Sequence, residues 1–337
     1  MDRNIIIETV GLKTYFSGKK SLLQRSPKTV KAVDDISLKI YEGETLGVVG
    51  ESGCGKSTLG RTILRLVKRT DGQILFEGQD ISNLSGEQMR QMRRKLQMVF
   101  QDPYASLNPR MTVLELIRSP LDAFGIGTMD ERLEKVRKVI RTVGISEEQL
   151  YRYPHEFSGG QRQRIVIARA LILNPRFIVC DEPVSALDVS IRSQVLNLIK
   201  AIQKEYNLTY LFISHDLSVV RYISDRIAVM YLGQIVELAE KKDLYERPLH
   251  PYTQVLLSAI PIPDTEVRRE KIILTGDVPS PLSPPSGCRF HTRCPMAMEC
   301  CRTQAPELQE IEPGHLVRCH LHEKKGRSYD TTGRKTP

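Results

Sequence analysis

The sequence contains no apolar run long enough to cross a lipid bilayer. Its most apolar stretches, such as residues 165–173, are interrupted by a charged residue, here Arg169. They are much shorter than the roughly 20 residues that a membrane-spanning helix requires. Residues 1–10 also lack an apolar segment followed by a small-residue cleavage site, so we expect no signal peptide. Both absences favour a cytoplasmic protein.

The basic residues form no dense tract with interleaved aromatic residues, although the formal net charge is +9. They are spread along the chain as on an ordinary solvated surface, which would also suit the anionic inner leaflet of a membrane. We therefore expect no nucleic-acid partner. With 337 residues, 40% of them hydrophobic and 26% charged, the chain is typical of one large or two ordinary folded domains. We find no internal repeat.

The cysteines lack the closely spaced pairs of zinc fingers and the usual runs of ferredoxins. Cys54 and Cys180 are isolated, and the other five crowd the C-terminal region: Cys288, Cys294, Cys300, Cys301 and Cys319. In a reducing compartment such a group indicates metal or redox chemistry before structural disulfides. From the residues alone, a tetrahedral metal site, an iron–sulfur cluster and reduced cysteines in a small core all remain open.

Short apolar runs alternate with helical patterns through most of the chain, which predicts an α/β fold with a largely parallel central sheet. Continuous apolar runs bounded by polar turns are typical of strands that are covered on both faces. The predicted strands are residues 45–49, 98–100, 177–180, 210–213 and 227–231. The clearest predicted helices are residues 56–67, 87–95, 130–143 and 191–206.

The composition changes along the chain and suggests domain boundaries. We predict a core domain over residues 1–260, with a helical subdomain inserted at about residues 84–165 and a polar loop from Ser17 to Thr29. The segments that follow are a proline-rich linker (261–287), a cysteine-rich segment (288–322) and a polar, disordered tail (323–337).

A glycine-rich loop follows the first predicted buried strand. Residues 50–57 read Gly-Glu-Ser-Gly-Cys-Gly-Lys-Ser, which matches the P-loop pattern in its strand–loop–helix context. Its glycines let successive backbone N–H groups face phosphate oxygens at the start of a helix. Lys56 would pair with the β- and γ-phosphates, Ser57 would bind Mg²⁺, and Cys54 occupies a variable position where a small side chain is tolerated. The loop predicts nucleotide binding.

Two acids end the apolar run at residues 177–180. Asp181 and Glu182 would reach the same edge of the sheet as the P-loop. Asp181 could hold Mg²⁺ through water, and Glu182 could orient and deprotonate an attacking water. A second glycine-rich loop, Ser158-Gly159-Gly160-Gln161, precedes a helix and could approach another phosphate.

Together with three further motifs, these residues resemble an ABC ATPase over roughly residues 5–240. The further motifs are Gln101 in Val-Phe-Gln-Asp-Pro, Asp188 in Ser-Ala-Leu-Asp, and His215 in Ser-His-Asp. The second glycine-rich loop corresponds to the family signature. Phe157, just before Ser158, departs from it by replacing the usual leucine. The resemblance implies a P-loop α/β core with an antiparallel β edge and an inserted helical subdomain.

The resemblance also implies roles for the site residues. Gln101 would bind Mg²⁺ and report the nucleotide state to the membrane partner, Glu182 would be the catalytic base, and His215 would contact the γ-phosphate. Asp188 would lie at a dimer seam, and Phe16 or Tyr15 would stack on adenine, either one being equally able to serve the core. The implied nucleotide contacts are Gly50, Ser52, Gly53, Cys54, Gly55, Lys56, Ser57 and Thr58 in one subunit, and Ser158, Gly159, Gly160 and Gln161 from the opposite subunit.

The C-terminal motifs resemble dipeptide and oligopeptide import ATPases. These motifs are Leu-His-Pro-Tyr-Thr at 249–253, Gly-Asp-Val-Pro-Ser-Pro at 276–281, and the cysteines. The resemblance implies a heterodimer with a second, related ATPase, beneath two membrane permease subunits and an external peptide-binding protein. The chain would then act at the cytoplasmic face of the membrane. Importers of nickel or another small solute remain an alternative, and so, with less support, does a soluble ABC ATPase that takes no part in transport.

The resemblance also selects among the cysteines. Residues 287–294 match the family opening Gly-Cys-x-Phe-x-x-Arg-Cys, and some relatives bind a 4Fe-4S cluster. It implies that Cys288, Cys294, Cys301 and Cys319 are the ligands, with Cys301 rather than Cys300 at the third position. We expect a structural cluster that orders the C-terminal segment and lies away from the ATP site.

Overall fold

The computed structural model describes residues 3–17, 29–259, 277 and 279–322. Most of the predicted loop between Ser17 and Thr29, most of the predicted linker at 261–287 and the whole predicted tail at 323–337 lie outside these residues.

The strands and helices alternate along the described residues. The strands are β1 (Ile5–Ser17), β2 (Thr29–Tyr41), β3 (Thr45–Val49), β4 (Asp71–Phe76), β5 (Gln79–Asp80), β6 (Leu96–Val99), β7 (Phe177–Asp181), β8 (Thr209–Ile213), β9 (Arg226–Tyr231), β10 (Gln234–Glu240), β11 (Gln309–Glu312) and β12 (His315–Val317). The helices are α1 (Lys56–Ile63), α2 (Gly86–Lys95), α3 (Pro103–Ser106), α4 (Val113–Phe124), α5 (Met129–Thr142), α6 (Gly159–Leu171), α7 (Val189–Tyr206), α8 (Leu217–Ile223), α9 (Lys241–Glu246), α10 (Pro251–Ser258) and α11 (Cys300–Thr303). Short 3-10 helices cover Glu147–Tyr151, Pro154–Glu156 and His320–His322.

The central sheet is parallel where the apolar runs predicted buried strands. Its order is β11-β12-β10-β9-β3-β8-β7-β6, and the neighbours from β9 to β6 pair in parallel. Every residue of β3, β7, β8 and β9 is buried, because α6 and α7 pack on one face of the sheet and α1 with the second sheet on the other. The predicted α/β class is therefore confirmed, and the carboxyl ends of β3 and β7 open onto the same edge.

A second sheet forms the antiparallel edge that the resemblance implied. Its order is β2-β1-β4-β5, and the long strands β1 and β2 pair in antiparallel fashion from Ile5↔Tyr41 to Ser17↔Thr29. Apolar residues of this sheet and of α1 share one core, which includes Ile7, Ile40 and Leu59. The second sheet therefore packs beside the P-loop helix.

The predicted helical region at 84–165 is mostly helical but not uniformly so. It contains α2 to α5, yet β6 also lies within it and pairs with β7 of the central sheet. One apolar core runs from α4 and α5 into α6 and α7 without interruption. The helices thus pack on the sheet that they interrupt, and the exact bounds of a subdomain stay a prediction.

The helix after the P-loop is shorter than predicted. The pattern suggested residues 56–67, but α1 ends at Ile63. Leu64 is its C-cap, and Arg65 adopts a left-handed conformation with φ of 53°. Because the chain turns at Arg65, the apolar residues that follow do not extend the helix.

The C-terminal segment joins the central sheet, which the sequence did not predict. Strand β12 pairs with β10, so it covers an edge that β10 would otherwise expose. The fully buried carboxylate of Glu237 on β10 lies 2.7 Å from His315 Nε2 on β12 and also accepts the His250 N–H at 2.9 Å. This buried pair ties the segment to the core.

Within the part of the chain that the structure describes, none of the helices has both the length and the apolar character needed to span a membrane.

Candidate functional site

The P-loop wraps the end of β3 and the start of α1. Gly55 is the N-cap of α1 with φ of 107°, and a Cβ at this position would lie 1.9 Å from the Ala32 carbonyl oxygen. Only glycine fits both that conformation and that close approach. The loop is therefore set against β2, with its backbone N–H groups at the start of a helix.

Lys56 lies beneath this loop and is 5% exposed. Its Nζ donates to the carbonyl oxygens of Gly50 at 2.8 Å and of Glu51 at 3.0 Å. Both acceptors are uncharged, so the positive charge of the ammonium is not neutralised by them and can attract phosphate. Cys54 Sγ lies 3.8 Å from the same nitrogen, and burial raises the pKa of the Cys54 thiol. Cys54 is therefore part of the packed core rather than a reactive thiol.

The predicted metal-binding residues meet next to Lys56. The Ser57 hydroxyl donates to Asp181 Oδ1 at 2.7 Å, and Arg61 lies 3.4 Å from the other carboxylate oxygen. Asp181 is completely buried at the end of β7. A hydroxyl and a carboxylate oxygen are hard donors of the type that Mg²⁺ binds, so this pair fits the ion chemically.

Glu182 lies at the centre of the remaining predicted residues. Its Oε2 is 3.1 Å from Gln101 Nε2 and 3.1 Å from His215 Nδ1. The backbone of Glu182 has φ of 48°, which is a costly conformation for a residue other than glycine. Because the chain turns at this point, the carboxylate faces Gln101 and His215 rather than continuing the line of β7.

These residues line one open cavity of about 590 Å³. It is lined by Phe16, Val30, Ala32, Ser52, Gly53, Gly55, Lys56, Ser57, Thr58, Gln101, Glu182 and His215. Phe16 stands at its rim with 45% of its surface exposed. Tyr15 points elsewhere, because its hydroxyl donates to Asp34 and its ring lies under the Lys31 ammonium. Of the two predicted aromatics, the geometry favours Phe16.

The second glycine-rich loop lies apart from this cavity. Residues 158–161 are not among its lining residues. Ser158 is the N-cap of α6, where its hydroxyl accepts from the Gln161 N–H and the Gln161 side chain accepts from the Ser158 N–H. A Cβ at Gly160 would lie 2.3 Å from Ile191 Cγ2, whereas one at Gly159 would make an ordinary contact with Leu187. Gly160 is therefore required for close packing of α6 on α7.

Asp188, which the family resemblance places at a dimer seam, is exposed at the start of α7. Its neighbour Val189 is 76% exposed. Within this chain the structure thus brings P-loop residues, Gln101, Glu182 and His215 together around the cavity, with Asp181 bound to Ser57. Asp188 and Ser158 remain exposed outside it.

The C-terminal cysteines lie close together. Burial raises the pKa of the Cys288 thiol to about 11 and that of Cys319 to about 12, and the nearby thiols of Cys288, Cys294 and Cys301 add to the shift at Cys319. The Cys288 N–H also donates to the Cys301 carbonyl at 2.8 Å. Without a cation the thiols of Cys288 and Cys319 stay protonated, because their pKa values are raised, whereas a bound cation would favour their thiolate forms.

The structure also places a histidine beside the cysteines that the sequence did not single out. Among the described residues, ligand atoms within 4.8 Å of one another come from Cys300, Cys301 and His320. A tetrahedral zinc site, with Zn–S bonds of about 2.3 Å, would bring four sulfurs to about 3.8 Å from one another. Among the described residues, the four predicted ligands do not form a group within 4.8 Å.

The first part of the cysteine-rich segment contacts the P-loop, which the sequence did not predict. Arg293 Nη1 lies 2.9–3.0 Å from both carboxylate oxygens of Glu51 in the P-loop. Tyr252 on α10 also reaches the loop, since its hydroxyl accepts the Glu51 N–H at 2.9 Å. No local sequence signal marks either contact, because the partners are 242 and 201 residues apart.

Comparison with known families agrees with this arrangement. A profile described as "ABC transporter" matches residues 33–185, and one described as "Oligopeptide/dipeptide transporter, C-terminal region" matches residues 236–301. The oligopeptide transport ATP-binding protein AppF of Bacillus subtilis is 58% identical over 95% of this chain and 98% of its own length. The oligopeptide transport ATP-binding protein OppF of Salmonella typhimurium is 52% identical over 94% of this chain and 96% of its own length.

Solved structures support the same conclusion for the fold. A dimeric post-hydrolysis state of the ATP-binding cassette MJ0796, bound to ADP and Pi, has a TM-score of 0.62 at 29% identity. It covers 70% of this chain and 99% of its own. CbiO1 of Clostridium perfringens, part of an ABC transporter complex, has a TM-score of 0.62 at 26% identity and covers 73% of this chain and 92% of its own. The chain therefore belongs to the ABC transporter ATPases, in the family of oligopeptide and dipeptide transport ATP-binding proteins.

Proposed function

We propose that this chain hydrolyses ATP to drive the import of dipeptides or oligopeptides through separate membrane subunits. The observation that carries the catalytic part is the convergence of Lys56, Ser57, Asp181, Glu182 and His215 at one edge of the central sheet. The relatives named for oligopeptide transport support the choice of cargo.

The residues divide the work of hydrolysis among them. The P-loop N–H groups and Lys56 bind the phosphates, and Phe16 stacks on the adenine. Ser57, Asp181 and Gln101 hold Mg²⁺, which when bound neutralises charge on the phosphates. Glu182 takes a proton from the attacking water while the water oxygen bonds to the γ-phosphorus and the bond to the β-phosphate oxygen breaks. His215 orients Glu182 and contacts the γ-phosphate.

We propose that each ATP site is formed by two ATPase subunits, one that supplies the P-loop and one that supplies the loop at residues 158–161. The loop at residues 158–161 does not line the cavity of its own chain, and Ser158 at its start is exposed, so the loop can approach ATP held by a partner. We propose that the partner is a second, related ATPase, with Asp188 at the seam. The pair would sit at the cytoplasmic face of the membrane beneath two permease subunits that receive peptide from an external binding protein.

Reconstitution tests this cargo directly. Liposomes that contain the chain, its partner ATPase and the permease subunits should take up labelled peptide when the peptide-binding protein and internal ATP are present. Lys56→Ala in this chain should abolish the part of the uptake that its site drives. Uptake of nickel instead of peptide would move the proposal to the alternative cargo, and hydrolysis without any transport would favour the non-transport class.

We also propose that Cys288, Cys294, Cys301 and Cys319 hold a 4Fe-4S cluster. Their thiols are half-buried or buried, and those of Cys288, Cys294 and Cys301 lie near enough to Cys319 to raise its pKa, which supports this ligand set. A bound cluster would hold Cys319, which follows β12, to Cys301 on α11 and to the segment at 288–294. It would thus order the C-terminal segment, as disulfides do in oxidising compartments.

Anaerobically purified protein should be brown and contain about four iron and four sulfide per chain. Cys301→Ser should bleach it, because a ligand is lost, whereas Cys300→Ser is the matched control and should keep the colour. One tightly bound zinc without sulfide would replace the cluster by a single ion. Equal loss of metal in Cys300→Ser and Cys301→Ser would shift the site to Cys300, Cys301 and His320.

A further inference from the structure

The cysteine-rich segment turns back onto the phosphate-binding loop through one arginine. Arg293 Nη1 is 3.0 Å from Glu51 Oε1 and 2.9 Å from Glu51 Oε2. The Arg293 side chain is 8% exposed and that of Glu51 is 26% exposed. An ion pair with so little solvent around it is weakly screened by salt and restricts both side chains.

Three groups of Glu51, namely its carboxylate, its N–H and its carbonyl, are each held by a different residue. Its carboxylate pairs with Arg293, its N–H donates to the Tyr252 hydroxyl at 2.9 Å, and its carbonyl accepts from Lys56 Nζ at 3.0 Å. Phe290, three residues before Arg293, packs on the rings of Tyr231 and Tyr252 with centroid distances of 5.3 Å. The segment therefore supports Glu51 directly through Arg293 and indirectly through Tyr252.

The same segment also fixes the strand pair on the other side of the loop. The Arg289 guanidinium donates to the Asp34 carboxylate and to the Leu232 carbonyl. Asp34 in turn accepts from the Tyr15 hydroxyl, next to Phe16. Arg289 and Arg293 thus anchor the segment on both β2 and the P-loop.

We propose that Arg293 is a positioning residue for the phosphate-binding loop, which it holds through the carboxylate of Glu51. The proposal rests on the proposed nucleotide site, since its effect is exerted on Lys56. If Glu51 moves, its carbonyl no longer fixes the Lys56 ammonium. Arg293 also neutralises a carboxylate that would otherwise repel the phosphates. The C-terminal segment is then part of the nucleotide site and not only an appendage.

The test is the affinity of the purified full-length chain for MgATP, measured by titration calorimetry. Arg293→Gln and Glu51→Gln should each weaken binding by about tenfold, because each breaks a charge-assisted contact of the loop. The double variant should bind no more weakly than either single variant, since both remove the same pair. Arg293→Lys, which keeps the charge, should recover part of the affinity.

Whether Glu51→Gln weakens or tightens MgATP binding distinguishes positioning of the loop from simple charge repulsion. Removing a carboxylate near the phosphates would by itself tighten binding, whereas losing the loop's anchor weakens it. Glu51→Gln changes no residue of the cysteine-rich segment, so it provides a second test if Arg293→Gln perturbs the folding of that segment. Arg302→Gln, an exposed arginine of the same segment, is the matched control and should bind MgATP as the wild type does.

Wild-type affinity in both Arg293→Gln and Glu51→Gln would overturn the proposal, as would fully additive losses in the double variant. The Lys56→Ala variant distinguishes a wrong positioning role from a wrong nucleotide site. If Lys56→Ala loses MgATP binding while the Arg293 and Glu51 variants keep it, only the positioning role is wrong. If Lys56→Ala also binds normally, the proposed nucleotide site itself is wrong.

Discussion

Replacing Glu182 by glutamine is expected to slow ATP hydrolysis by about 10²–10⁴-fold while ATP binding is retained. The amide has nearly the same shape as the carboxylate but cannot accept the proton of the attacking water. The contacts with Gln101 and His215, both 3.1 Å from Glu182 Oε2, can largely be kept by an amide. The defect should therefore lie in the chemical step and leave an ATP-bound dimer that accumulates.

The measurement needs an assembly in which only this site can turn over. The partner ATPase should carry a glutamine at its own catalytic glutamate, so that the remaining hydrolysis reports on Glu182 alone. Lys56→Ala is the contrasting control, because it should weaken ATP binding itself and prevent the ATP-bound dimer. Wild-type turnover in the Glu182→Gln assembly would show that another group acts as the base.

The sequence predicted the parts of the fold that depend on local patterns. The apolar runs that became β3, β7, β8 and β9 are buried on both faces, so their composition alone distinguishes them from the other segments. The P-loop is recognised from the spacing of its glycines, lysine and serine, and the two acids stand at the end of the apolar run that forms β7. Those residues could be placed at one edge of the sheet before any coordinates were known.

The contacts of the C-terminal segment could not be predicted in the same way. Strand β12 is three residues long, and its pairing with β10 depends on partners about 80 residues away rather than on its own pattern. The pair of Arg293 and Glu51 spans 242 residues. The sequence could not distinguish Phe16 from Tyr15 either. Adjacent residues of a strand point to opposite faces, and the register of the strand decides which one meets the cavity.

The second large effect expected is that this chain alone hydrolyses ATP slowly. The cavity is lined by P-loop residues and Glu182, and Asp181 accepts a hydrogen bond from Ser57 beside it, but the loop at residues 158–161 does not line it. If the signature of the partner completes each site, the isolated chain lacks donors that stabilise charge on the γ-phosphate. Losing such a preorganised donor costs about 10²–10³-fold in rate, so a deficit of at least that size is expected.

A substitution in the signature should act on the other subunit. Ser158→Arg removes the N-cap of α6 and blocks the approach of the loop to a phosphate. In the assembly it should impair hydrolysis at the partner's P-loop while the chain's own site still binds MgATP. Asp188→Ala, at the exposed start of α7, tests the same seam from a position outside the signature. Loss of MgATP binding by the Ser158→Arg chain itself would contradict an action across the seam.

A site that a second cassette completes should be far more active in the assembly than in the isolated chain. The rate of ATP hydrolysis per site should be measured for the purified chain and for the chain assembled with its partner ATPase and membrane subunits, at the same saturating MgATP concentration. We expect assembly to raise the rate of ATP hydrolysis per site by about 10²-fold or more. A purified monomer that hydrolyses ATP as fast as the full assembly would contradict it.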